Sequence, residues 1–78
     1  MPVMTEHLVL YGGPRHGRVM RQPDLPELVV MDEGDETRYG RTNMIFLSYQ
    51  VWAADYLLPI QASHIDLEEF EDAIRRSQ

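Results

Sequence analysis

Three clusters of turn-forming residues do most to limit what this chain can become. They are Gly12-Gly13-Pro14 with Gly17, Pro23-Asp24-Leu25-Pro26, and Asp32-Glu33-Gly34-Asp35, all in its first half. Glycine reaches positive φ at little steric cost, proline fixes φ and removes an N–H donor, and aspartate closes tight turns. What lies between them is too short for ordinary helices. Glu6–Tyr11 (EHLVLY), Arg18–Gln22 (RVMRQ), Glu27–Asp32 (ELVVMD) and Glu36–Arg41 (ETRYGR) are rich in branched and aromatic residues. Short strands separated by such turns predict a small, mostly antiparallel meander. The apolar run of ELVVMD predicts a strand buried on both faces. In ETRYGR, Thr37 and Tyr39 oppose Arg38, and Gly40 predicts a bulge.

Met44 to Ile60 admits two readings. Leu47, Val51, Ala54 and Leu58 form a helical stripe. Ile45, Phe46, Tyr49, Val51, Trp52 and Tyr56 are instead strand-favouring types. The second reading predicts two strands, about 44–50 and 55–60, joined near Ala53-Ala54.

The C-terminal stretch predicts a helix over about 64–76. Ser63-His64-Ile65-Asp66 has the form of a capping box. Leu67, Phe70, Ala73 and Ile74 then share a face, and Glu71 with Arg75 and Asp72 with Arg76 are favourable (i, i+4) pairs. Acids lead and arginines close the segment, as the helix dipole favours. An isolated helix of ~12 residues is marginal in water, so its apolar face must dock. The expected fold is therefore α+β, a small mostly antiparallel sheet or half-open barrel with one C-terminal helix packed on it. At 78 residues it is one domain, sheet about 6–60 and helix about 64–76.

Composition narrows the function classes. There is no cysteine, which excludes disulfide staples and thiolate zinc sites. No apolar run approaches the ~18–20 residues of a membrane helix. The opening MPVMTEHLV lacks the basic and apolar regions of a signal peptide, so an intracellular or in-particle location is expected. Net charge is −6, which disfavours wholesale binding of nucleic acid. The charge is uneven: Arg15, Arg18 and Arg21 precede Asp24, Glu27, Asp32, Glu33, Asp35 and Glu36. All seven basic residues are arginine, consistent with a GC-rich coding genome. Arg18 and Arg21 alternate out of phase, so a regular strand cannot present both on one face, which weakens a basic ribbon for nucleic acid. His7, His16 and His64 lie in separate segments without metal-ligand spacing, so no cofactor or metal is expected. The hydroxyl residues occupy no nucleophile elbow, and the acids of the third turn read as solvated, so no catalytic residues are expected. The acidic helix face Asp66, Glu68, Glu69, Glu71 and Asp72 reads likewise as a solvated face.

The string Gly12-Gly13-Pro14-Arg15-His16-Gly17 lacks the GK[ST] ending and following helix of a phosphate loop. It reads as a structural turn at Gly12, Gly13, Pro14 and Gly17, with Arg15 and His16 presented at its tip. A short apolar strand, GGPxxG and a second strand, here Leu8 to Val19, resembles the opening of a group of small actinobacterial phage proteins. Tyr39-Gly40-Arg41 and Trp52 to Leu58 correspond to later strands of that group. His16 stands where the group more often has Asp. The resemblance implies a phage-encoded protein with no established activity, and it supplies no catalytic residues.

The expected function is non-enzymatic protein–protein contact with a host or phage protein. A host-directed or accessory role in the infected host's cytoplasm leads. A virion or assembly component, and a nucleic-acid accessory protein using the first hairpin, are the alternatives. Trp52 and Tyr56, aromatic types enriched at binding hot spots, are the expected contact residues beside Arg15 and His16, the alternative for Trp52 being a place in the core. The apolar Met44–Leu58 stretch is the expected partner surface, a homodimer being its simplest closed form.

Overall fold

The computed structural model describes residues 6–25 and 27–77. Residues 1–5, read above for a leader, and Pro26 of the second turn lie outside them. The elements are β1 (His7–Tyr11), β2 (Val19–Arg21), β3 (Glu27–Asp32), β4 (Asp35–Phe46), β5 (Tyr49–Ala54) and α1 (Leu67–Arg76). Single 3-10 turns occupy Asp55–Leu57 and Ala62–His64. The five strands form one sheet in the order β2-β1-β5-β4-β3. β3, β4 and β5 are the expected antiparallel meander, but β1 lies parallel to β5, with Val9 beside Val51 and Leu10 beside Trp52. The sheet is therefore mixed, and its central strand, β5, pairs with the strand most distant from it in sequence, β1.

The link between β2 and β3 dictates the curvature. These strands are opposite edges, which in a flat sheet would stand about 19 Å apart at ~4.8 Å per strand. Six Cα steps reach only about 20–22 Å when fully extended. The link instead bends at Asp24-Leu25, so the sheet must curl to bring its edges together. The result is the half-open barrel. Its interior holds Leu8, Leu10, Tyr39, Trp52 and Ala54, with Met20, Leu28, Val30 and Leu57 around them. Its outer face carries Val9 and Val51, on which α1 lays Phe70 and Ile74.

This two-sided burial corrects the reading of residues 44–60. β5 is central, so Val51, Trp52, Ala53 and Ala54 are apolar because both faces are covered within the chain. Residues 44–46 end β4, and 55–60 form no strand. Conversely, β3 is an edge, and Val29 and Met31 are exposed although its composition predicted burial on both faces. The bulge predicted at Gly40 lies instead between Arg41 and Ile45. Thr42 fills it: its Oγ1 donates to the Val51 carbonyl (2.7 Å) and accepts from the Met44 N–H (3.1 Å). Gly40 keeps regular pairing opposite Ala53.

The helix starts later than predicted. Its N-cap is Asp66, whose Oδ1 accepts from the Glu69 N–H at 3.2 Å. Ser63 belongs to the preceding 3-10 turn. The later start turns Leu67 half out into solvent, while Phe70 and Ile74 anchor the helix. The two (i, i+4) ion pairs, Glu71 with Arg75 and Asp72 with Arg76, form as read.

Candidate functional site

The Gly12–Gly17 turn is built into the fold rather than projected from it. Gly13 and Gly17 have φ of +69° and +86°, where L side chains are disfavoured. A Cβ on Gly13 would stand 2.4 Å from the Tyr39 hydroxyl. That hydroxyl donates to the Gly12 carbonyl (2.7 Å) and accepts from the Arg15 N–H (3.3 Å). Burial pushes the Tyr39 phenol above its usual pKa.

His16 ties the turn to the helix. Its Nδ1 accepts from the Gly12 N–H (2.7 Å), so the ring proton sits on Nε2, which faces Glu69 Oε2 at 3.2 Å. The ring stacks on Phe70 at 5.4 Å and meets the Tyr11 ring edge-on at 5.1 Å. His16 therefore holds turn and helix together, a role its position at a hairpin tip did not disclose. Tyr56 is exposed as expected, and its hydroxyl accepts from the Gly13 N–H (3.1 Å). Tyr56, Arg15 and His16 thus gather at one turn.

Trp52 does not join them. It is wholly buried inside the half-barrel, which corrects its listing as a contact residue and bears out the alternative that it is core. The Arg41 guanidinium lies over its ring at 5.3 Å, an attractive placement. Arg18 points with Met20 into the seam between β2 and β3, whereas Arg21 shares the outer side with Val19, as their alternation predicted.

A second region takes in the first residues of the Met44–Leu58 stretch, the expected partner surface, together with the start of the helix. Where the β4–β5 hairpin meets the start of α1, Met44, Ile45, Phe46, Ile65, Leu67 and Phe70 line a groove of about 220 Å³. Of these, Ile45 and Leu67 are 59 % and 50 % exposed, and Leu47, in the turn that follows β4, is 49 % exposed. The hairpin turn itself is strained. Leu47 and Ser48 both take positive φ, +54° and +69°. Such a two-residue turn favours Asn-Gly. A leucine there costs about 1–2 kcal/mol of backbone strain and exposes an apolar side chain, whereas the matching position of the β3–β4 turn, Glu33 at φ +52°, exposes a polar one. Beside the groove, Asp66 and Glu68 flank Leu67 at the acidic start of the helix. The signal available in sequence was Leu-Ser at a tight turn between apolar strand ends.

No described helix is long and apolar enough to cross a membrane. Among the described residues no three His, Cys, Asp or Glu side chains gather as a metal site. Comparison with family models, curated proteins and solved structures returned no match.

Proposed function

We propose that this chain is a phage-encoded, non-enzymatic protein that acts by contact with a host protein, and that the groove between the β4–β5 turn and α1 makes the contact. The observation that carries this reading is the apolar groove lined by the exposed Ile45 and Leu67, with the strained, exposed Leu47 in the turn that follows β4. Clustered exposed apolar residues mark interaction surfaces, and a strained backbone persists where function maintains it. The partner's matching surface is apolar with a basic rim, because Leu67 of the groove stands between Asp66 and Glu68 in the acidic first turn of the helix and the chain carries −6 overall. The phage assignment rests on the GGPRHG string between two strands.

The test is affinity capture from an actinobacterial host lysate with the parent chain and with Ile45→Glu and Leu67→Glu. Both substitutions fall at exposed positions, so the variants should retain the parent's circular dichroism and melting temperature. The parent should retain one host protein, released by moderate salt, and both variants should lose it. Equal retention by folded variants would remove the groove from the contact.

A further inference from the structure

β3 has the composition of an interior strand and the position of an edge. Its middle, Leu28 to Met31, holds no charge, proline or bulge, the usual devices that protect an edge from pairing. On the outer side Val29 and Met31 are 44 % and 61 % exposed. On the inner side Leu28 and Val30 border a cleft of about 310 Å³, the open seam of the half-barrel, whose other wall holds Leu10 and Met20. Arg15 and Arg18 also line this cleft. Among the described residues the ion pairs are made by His16, Arg38, Arg75 and Arg76; Arg15 and Arg18, like Arg21 and Arg41, have no carboxylate, but only these two line the cleft.

We propose that the free edge of β3 accepts an extended segment of a partner polypeptide as an additional strand, apolar at alternate positions and carrying one carboxylate that reaches Arg15 and Arg18. Strand addition satisfies the unpaired backbone groups of the edge, which a lipid or other apolar molecule would not. Side chains on one face of the added strand cover Val29 and Met31, and those on the other fill the seam. Charge selects against a second copy of the chain. Antiparallel pairing of two β3 edges sets the Glu33–Glu36 turn of each copy beside Glu27 of the other, with −6 on both. This site is separate from the groove beside α1 and does not depend on it.

The probe is a set of short synthetic peptides alternating valine and threonine, with glutamate placed at each position in turn, titrated calorimetrically into the full chain. At least one register should bind, and glutamine in place of its glutamate should weaken binding about tenfold. Arg18→Gln should bring the two peptides level, while Leu67→Glu should leave both unchanged. Methylating alternate backbone nitrogens of the best peptide should abolish binding. The proposal is overturned if no member of the set binds, if the methylated peptide binds as well as its parent, or if sedimentation shows the chain pairing with itself through this edge.

Discussion

Gly17 and Ala73 touch backbone to backbone. A Cβ placed on Gly17 would stand 2.6 Å from the Ala73 carbonyl carbon and 2.7 Å from its oxygen. At the same point Ser77 Oγ donates to the Gly17 carbonyl at 2.7 Å. The last glycine of the turn therefore sets how closely α1 approaches the sheet.

Gly17→Ala should destabilise the protein by roughly 2–4 kcal/mol, combining the cost of positive φ with overpacking against the helix. Ala73→Gly should not rescue it, because the obstructing atoms include the helix backbone. Urea unfolding of the two single variants and the double variant measures both effects.

Phe70→Ala should cost about 3–5 kcal/mol. The ring is fully buried, stacked between Phe46 and His16 and met edge-on by Tyr11. Leu67→Ala, half exposed on the same helix, should cost under about 1 kcal/mol. Thermal melts of the pair separate an anchored helix position from a surface one.

Replacing Leu47-Ser48 by Asn-Gly should stabilise the chain by about 1–2 kcal/mol, since the new residues suit positive φ at both turn positions. Partner capture should fall in the same variant, because the exposed leucine is gone. A gain in denaturation midpoint with unchanged capture would show that Leu47 takes no part in contact.

The buried Tyr39 phenol predicts a loss of stability at alkaline pH. Its folded-state pKa is raised above 10.0, chiefly by burial. Below pH 10 the phenol is protonated in both states and its contribution is fully present. Above pH 10 the unfolded chain ionises first, so stability falls as pH rises through the folded-state value. Tyr11, raised by burial and then by Glu69 and Asp66, acts in the same direction. Tyr39→Phe should flatten the alkaline limb of stability against pH. At neutral pH it should cost about 1–3 kcal/mol, because the Gly12 carbonyl and Arg15 N–H lose their shared hydroxyl.

The parts of the fold legible in sequence were those governed by local chemistry. Glycine and proline placed the turns, β3 matched its predicted bounds, and the helix face showed Phe70 and Ile74. What was hidden depended on contacts between distant residues. The parallel pairing of β1 with β5 leaves no local trace, so β5 looked too apolar for so small a chain and Trp52 could be read as a contact residue as well as core. Asp66 and Ser63 are both good caps, and only the packed position of Phe70 chooses between them. At the site, the exposure of Tyr56 and the turn glycines were readable. Of the groove, the Met44–Phe46 side fell within the stretch expected as a partner surface, but its other wall at Ile65 and Leu67 did not, because only the packing of the helix start on the hairpin brings them together.

The tie between Gly17 and Ser77 also fixes when the molecule can exist during its own synthesis. The first hairpin emerges early, yet its neighbour in the sheet is β5 and its cover is α1. Until residues 67–77 have left the ribosome, the outer side of Val9 and Val51 stays wet. The hairpin that emerges first is thus the one that must wait longest for its cover, and its closure is a long-range step rather than a local one.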